Sequence, residues 1–95
     1  MNEKEEAFTT LSESVIIYDG LNMSNTKERA TAVQNLGFVL SSMGKCEDAM
    51  NALQDSIATY DRLHLRNSSD CAFALHVLGS NFMKVNRYED AVNAL

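Results

Sequence analysis

The chain has 95 residues, with 8 Lys and Arg against 13 Asp and Glu, a net charge of −5, 45% hydrophobic residues and no proline. This length suits one domain and not two. The apolar content is too high for a disordered acidic tail. The longest stretch without a charged residue, 30–44, is broken by polar side chains, so the sequence predicts no membrane span.

Charge distribution and cysteine spacing argue against several functional classes. Lys and Arg stand singly rather than in stripes, so the basic footprint that nucleic acids require is missing. Cys46 and Cys71 have no further Cys or His at metal-ligand spacing, so we expect no metal site and favour two free thiols over a lone disulfide. The acidic N-terminus does not resemble a secretory signal, which predicts a cytoplasmic protein.

The sequence repeats itself with a period of 42 residues. Residues 32–53 laid on 74–95 are identical at nine of 22 positions: Ala32/Ala74, Leu36/Leu78, Gly37/Gly79, Glu47/Glu89, Asp48/Asp90, Ala49/Ala91, Asn51/Asn93, Ala52/Ala94 and Leu53/Leu95. The same shift lays 5–30 on 47–72 and pairs, among others, Ala7/Ala49, Leu11/Leu53, Ser14/Ser56 and Tyr18/Tyr60. Two separate overlaps at one period indicate a genuine internal repeat.

The first predicted element is a helix over residues 3–21. Its apolar stripe consists of Ala7, Leu11, Val15, Tyr18 and Leu21. The acidic residues Glu3, Glu5 and Glu6 open this helix, where the helix dipole favours negative charge. A polar connection over 22–27 follows, in which Thr26 or Asn25 can cap the next helix.

Two helices joined by a tight turn are predicted next. The earlier one has the stripe Val33, Leu36, Leu40 and Met43, and the later one has Ala49, Leu53, Ile57, Tyr60 and Leu63. Gly44 between them permits the left-handed conformation that ends a helix. Because the turn is short, the two helices are expected to pack antiparallel. Tyr60, like Tyr18, is expected to pack with its hydroxyl at the surface.

A second polar connection, over 64–69, leads into the last predicted elements. Ser69 or Ser68 can cap a helix whose stripe is Leu75, Leu78, Phe82 and Val85. Asn86 stands where Gly44 stands one period earlier, which predicts a turn and the start of a further helix. No segment alternates with period two, so the predicted fold class is all-α.

This pattern resembles tetratricopeptide repeats, specifically the 42-residue variety found in kinesin light chains. The matching first-helix residues are Val33, Leu36, Gly37 and Leu40, then Leu75, Leu78, Gly79 and Phe82. The matching second-helix residues are Asp48-Ala49 and Asp90-Ala91, the large residues Leu53 and Leu95, and the small residues Ser14 and Ser56. Val33-Gln34-Asn35-Leu36 is also similar to the Leu-Asn-Asn-Leu of light chains. Gly37 and Ala49 are expected to let the two helices approach closely.

The resemblance implies antiparallel helix hairpins stacked as an α-solenoid, in a right-handed superhelix. In repeat register, residues 1–95 form one array segment: the second helix of one repeat (about 3–21), a full repeat (about 28–65) and a partial repeat (about 70–95). No polar capping helix follows in the sequence, which predicts a fragment of a longer array. Its uncapped ends are expected to offer surfaces for self-association.

The resemblance also implies a peptide-binding groove on the concave face of the first helices. The residues expected there are Thr31, Gln34, Asn35, Phe38, Ser41, Ser42, Phe73, His76, Ser80, Met83 and Lys84. The amides offer donors and acceptors to a peptide backbone, and the apolar members offer pockets. Packing between repeats stays open as the alternative for Phe38 and Phe73, as does a solvated or inter-helix role for Asn35. Lys84 is the single cation of this set, which argues against an acidic ligand.

The predicted function is a non-catalytic protein–protein interaction scaffold that binds an extended peptide or a partner helix, with no cofactor. The alternative is a structural role, in which repeats stack end to end and space or oligomerise a larger protein. Catalysis would require a nucleophile with a positioned base, paired carboxylates or a metal. The repeat register already gives most of the candidate residues a structural position.

Overall fold

A computed structural model of the protein contains four α-helices and describes residues 2–94, with side chains through residue 93. Helix α1 spans Glu3–Gly20, α2 spans Lys27–Ser42, α3 spans Cys46–Arg62 and α4 spans Ser69–Ala94. The described residues include no strand, and the all-α class is confirmed. Leu95, which the repeat pairs with Leu53, lies outside the described residues.

Side-chain caps set the starts of three helices. The Asn2 side chain accepts a hydrogen bond from the backbone N–H three residues on, at 2.8 Å. Thr26 Oγ1 accepts from the N–H of Arg29 at 3.2 Å, and Ser68 Oγ accepts from the N–H of Cys71 at 3.1 Å. Each bond satisfies one of the free amides that open a helix. Of the alternatives in the two polar connections, the caps are therefore Thr26 and Ser68, which are one period apart.

Three helices end in the same left-handed turn. Asn22, Gly44 and His64 have φ angles of 60°, 77° and 59°. Beyond each, a backbone N–H reaches back to the carbonyl five residues earlier: Met23 to Tyr18, Lys45 to Leu40 and Leu65 to Tyr60. This bond defines the Schellman ending of a helix. The expected turn at Gly44 is confirmed, and the endings at Asn22 and His64 repeat with the sequence period.

The turn expected at Asn86 does not form. Helix α4 continues through this position and runs unbroken from Ser69 to Ala94. Asparagine can adopt the left-handed conformation, as Asn22 does at the end of α1, so the residue type at position 86 does not by itself decide the outcome. Among residues 2–94 no further helix lies on the far side of α4 to favour a reversal, so the chain keeps its helical hydrogen bonds. The prediction of a turn at Asn86 followed by a separate helix is wrong.

Helix α2 contacts all three other helices. Helix α3 packs against it in the antiparallel direction, as the short turn predicts, with Ser56 beside Ala30. Helix α4 in turn packs on α3 and runs parallel to α2, with Phe73 against Phe38 and its later residues near the end of α2. The radius of gyration is 14.2 Å, against about 12 Å for a compact globule of this length, so the stack of helices is elongated.

Helices α2 and α3 approach most closely at Gly37. A Cβ atom at this position would lie 2.7 Å from Cγ of Leu53 and 3.4 Å from the carbonyl oxygen of Ala49. Both Leu53 and Ala49 are fully buried. The predicted close approach at Gly37 and Ala49 is confirmed, and a larger residue at position 37 would force the helices apart.

The core lies between α2, α3 and α4. It consists of Ala30, Leu53, Ile57, Tyr60, Cys71, Ala74 and Val77. Helix α1 rests against α2 and contributes no fully buried side chain. Arg29 links three helices, because its guanidinium lies 2.7 Å from Asp19 on α1 and 3.2 Å from Asp55 on α3. Burial by itself would lower the pKa of Arg29, but the hydrogen bonds to both carboxylates outweigh it and raise that pKa.

The face of α4 that corresponds to the covered face of α2 is open. Leu75 and Phe82 are 37% and 44% exposed, whereas Val33 and Leu40, one period earlier, are 3% and 6% exposed. A Cβ atom at Gly79 would meet nothing within 4 Å. The apolar stripe predicted for this helix therefore exists, but within the described residues no helix lies over these positions.

Substitution by alanine is expected to change the stability of the protein in opposite directions at the two repeat-related glycines, Gly37 and Gly79. Gly37→Ala should destabilise the protein by about 1–3 kcal/mol, because the new methyl group overlaps Leu53. Gly79→Ala should stabilise it by about 0.5–1 kcal/mol, because alanine is the better helix former and the position is open. Urea unfolding followed by circular dichroism at low protein concentration measures both. An equal response of the two glycines would contradict the close approach at Gly37.

Candidate functional site

A cleft of about 270 Å³ lies between α2 and α4. Its lining residues are Phe38, Ser41 and Ser42 of α2 and Phe73, His76, Val77, Ser80 and Lys84 of α4. Seven of the eleven predicted groove residues are among them; only Val77 is additional. The two helices lie side by side because α3 packs against both of them. The tertiary structure thus brings into one cleft most of the residues that the repeat register selects.

The apolar part of the cleft is the pair Phe38 and Phe73. Their ring centroids are 5.6 Å apart, with the planes tilted by 47°. Tilted aromatic pairs at this separation attract each other. The side chains are nevertheless 47% and 39% exposed. Both interpretations of these residues therefore apply, since the rings pack across the two helices and also present apolar surface to solvent.

The polar part of the cleft is centred on Ser41, which is bonded to a buried residue, Asn81, that does not itself line the cleft. The Asn81 amide nitrogen donates to Ser41 Oγ at 3.1 Å and to the carbonyl of Val77 at 2.8 Å. Lys84 Nζ lies 3.5 Å from the same serine oxygen. Asn81 is fully buried, and among the described residues its side-chain oxygen has no donor. Leaving such an acceptor unpaired costs about 1–3 kcal/mol.

Sequence patterns did not identify Asn81. Its partner one period earlier is the apolar Val39, so the repeat carries no sign of a polar role. The available signal was helical spacing, because Asn81 follows Val77 by four residues on the buried side of α4. A polar residue on that stripe indicates a hydrogen bond to a neighbouring helix.

Four predicted groove residues lie outside the cleft: Thr31, Gln34, Asn35 and Met83. Asn35 and Met83 are exposed, so their side chains are open to solvent. Gln34 is only 4% exposed, and its side-chain oxygen accepts a hydrogen bond from the Tyr60 hydroxyl at 2.7 Å. This oxygen is therefore used between α2 and α3 and is not offered to a ligand.

Tyr60 joins this buried polar contact from α3. Its side chain is fully buried, and its hydroxyl also lies 3.2 Å from Oγ1 of Thr31. Burial raises the pKa of Tyr60 above its ordinary value of 10.0. The expectation of a surface hydroxyl is wrong for Tyr60, because α2 and α4 both pack on α3. Tyr18, on the less covered α1, is only half-buried.

The cleft contains hydroxyl, imidazole and ammonium groups beside two aromatic rings, which suits non-covalent recognition. The Ser42 hydroxyl donates to the carbonyl of Phe38 at 3.1 Å, and Ser41 is bonded to Asn81. No group of three His, Cys, Asp or Glu side chains within residues 2–94 is placed to hold a metal ion. No helix in that range has the length and apolar content needed to cross a membrane.

Comparison of the chain with protein-family models, with curated proteins and with solved structures finds no match. The cleft and its residues are therefore the basis for proposing a function.

The buried Tyr60 hydroxyl is expected to stabilise the fold. Tyr60→Phe should cost about 1–2 kcal/mol, because it leaves the Gln34 oxygen without its donor. The matched control is Tyr18→Phe, one period earlier, which should change stability by less than about 0.5 kcal/mol. Chemical denaturation of both variants measures the difference. Equal losses would contradict the buried bond.

The same tyrosine predicts a change of stability with pH. Because its pKa is raised in the folded state, the contribution of Tyr60 is present below about pH 10 and is lost as pH rises through the folded-state pKa. Melting temperatures between pH 8 and pH 11 should therefore fall less steeply in Tyr60→Phe than in the parent protein. A fall of the same steepness in both would contradict the assignment.

Proposed function

We propose that this chain is a segment of a tetratricopeptide-like helical array that binds an extended peptide or a partner helix in the cleft between α2 and α4, without catalysing a reaction. The observation that carries the proposal is that seven residues selected by repeat register line one cleft. Its aromatic pair is about half exposed. Apolar surface of this kind, held on two rigid helices, is what a binding groove requires.

Three features support the repeat-array part of the proposal. The caps at Thr26 and Ser68 and the left-handed turns at Asn22 and His64 recur at the sequence period. Helices α2 and α4, also one period apart, lie side by side and parallel. The elongated shape agrees with units added along one axis. Stacking as a right-handed α-solenoid remains part of the proposal.

The chemistry of the cleft favours a ligand with apolar side chains and little negative charge. Phe38 and Phe73 supply the apolar contact, and Met83 lies exposed on the same helix as Phe73. The hydroxyl of Ser80 lines the cleft and can bond the unpaired backbone of an extended peptide. Lys84 is the single cation among the cleft-lining residues.

A binding role is preferred to catalysis for a specific reason. Of the two α2 hydroxyls of the cleft, Ser42 donates to a backbone carbonyl. The Ser41 oxygen accepts from the Asn81 amide and lies 3.5 Å from Lys84 Nζ, which is placed as a second donor to this oxygen rather than as a base. A serine nucleophile requires a base within hydrogen-bond reach. We therefore propose no catalytic residue and no cofactor.

A structural role is the second candidate function. The open face of α4, with Leu75, Gly79 and Phe82, favours stacking on a further helix. This surface and the cleft lie on different sides of α4, so the two functions do not compete for the same residues.

Peptide binding is tested by selecting ligands from a displayed peptide library against the 95-residue chain and measuring their affinity by fluorescence polarisation. Phe73→Ala should weaken a selected peptide by roughly tenfold or more, about 1–2 kcal/mol. The matched control is Phe82→Ala, which removes a phenylalanine of similar exposure from the same helix outside the cleft. Its affinity should stay within about twofold of the parent.

Two outcomes would contradict the proposed site. Equal losses in Phe73→Ala and Phe82→Ala would mean that the peptide does not occupy the cleft. If the selected peptides do not compete with one another for binding, they do not share one specific groove. Circular dichroism of both variants establishes that each remains folded.

A further inference from the structure

Helices α4 and α1 each have a face that no other described helix fully covers. In the sequence repeat, these two faces correspond to the faces that α2 and α3 bury against each other. The α2–α3 pair is closed, with Gly37 against Leu53. Helix α4 repeats the α2 face at a shift of 42 residues, and this copy is open. Helix α1 repeats the α3 stripe at the same shift, and none of its residues is fully buried.

We propose that the open face of α4 binds α1 of a second copy of this chain, in the same way that α2 binds α3 within one copy. We name the two surfaces the α4 face (Leu75, Gly79 and Phe82) and the α1 face (Ala7, Leu11, Ser14 and Tyr18). This proposal rests on the structural role given above as the second candidate function, and it specifies the partner and the contacting residues for that role. It does not rest on peptide binding, because Gly79 does not line the cleft.

The α1 face has the residues that this pairing requires. Leu11 stands at the position of Leu53, the side chain that fills the space over Gly37, and would fill the space over Gly79. Ser14 stands at the position of Ser56, whose hydroxyl donates to the carbonyl of Ala30 at 2.7 Å. The large apolar residue and the small donor are thus each present twice in the chain. Leu53 and Ser56 are fully buried, whereas Leu11 and Ser14 are only half-buried.

The α1 surface is also accessible for docking. A groove of about 390 Å³ runs along it, lined by Thr10, Glu13, Ser14, Ile17, Tyr18 and Leu21. Ile17 and Leu21 are 57% and 63% exposed. Uncovered aliphatic side chains along a groove favour burial against another apolar face.

A second copy fits the α4 face better than the chain's own C-terminal residues do. Residues 89–94 repeat the start of α3, but they are part of the continuous α4 helix and cannot lie on their own helix without breaking it. By contrast, the apolar stripe of α1, which repeats that of α3, extends along the whole helix. Binding of α4 to α1 of the next copy is head-to-tail, so each added copy leaves one open face at each end.

Sedimentation velocity and light scattering over a concentration series test this pairing. The mass of the parent chain should grow with concentration. Gly79→Gln should stay monomeric, because the added side chain fills the space that Leu11 needs, while its Cβ atom meets nothing within 4 Å in a single copy. The matched control is Gly20→Gln, at another open glycine outside both faces, which should associate like the parent.

Mixing two blocked chains distinguishes head-to-tail from symmetric pairing. Ser14→Lys should close the α1 face, so it too should be monomeric alone. An equimolar mixture of Gly79→Gln and Ser14→Lys should form a 1:1 dimer and grow no further, because each retains one working face. Circular dichroism of each variant verifies that it is folded.

Three results would overturn the proposal. One is a parent chain that stays monomeric at every concentration. Another is a mixture of blocked chains that does not pair. The third is a monomer whose melting temperature falls on Gly79→Gln, which would mean that the chain's own residues cover the α4 face. None of these results bears on peptide selection, so the two proposals fail independently.

Discussion

The close approach of α2 and α3 at Gly37 is the contact on which the rest of the fold depends. With no side chain at this position, Leu53 packs directly on the backbone of α2, and the helices lie near enough for Ser56 to bond the carbonyl of Ala30. The same separation lets the Tyr60 hydroxyl reach Gln34. Helix α3 then serves as the support for α4, which places α4 beside α2. The cleft between α2 and α4 therefore depends on the close packing of α2 on α3 at Gly37.

Buried polar groups give this small core its specificity. Tyr60 and Ser56 have their hydrogen bonds satisfied across α2 and α3, and such contacts favour one register of the two helices. Asn81 is different, because its nitrogen is bonded and, among the described residues, its oxygen is not. This partly satisfied residue lies between α4 and α2 rather than in the α2–α3 interface, and its nitrogen is bonded to Ser41, which lines the cleft.

A repeated sequence does not by itself produce a repeated environment. Gly37 and Gly79 occupy the same place in the repeat, yet the first is buried against Leu53 and the second faces open space. The difference arises at Asn86, where α4 continues as a helix and the chain does not fold back. The surfaces left open at α4 and α1 are the two halves of one helix pair. The cleft lies on another side of α4, so peptide binding and association between copies are physically compatible.

Local chemistry in the sequence by itself determined that the chain is helical, that a turn forms at Gly44 and that two helices meet closely at Gly37. For each of the two caps, Thr26 and Ser68, it left two candidate residues. Periodicity also selected seven residues that line one cleft, because positions on one helical face stay together whatever covers them. Only the tertiary structure decided that Gln34 and the Tyr60 hydroxyl are buried, that Asn81 is buried and bonds to Ser41 of the cleft, and that Asn86 continues a helix. These outcomes depend on which neighbouring helix covers each face, and the pattern of a single segment carries no information about the presence of that neighbour.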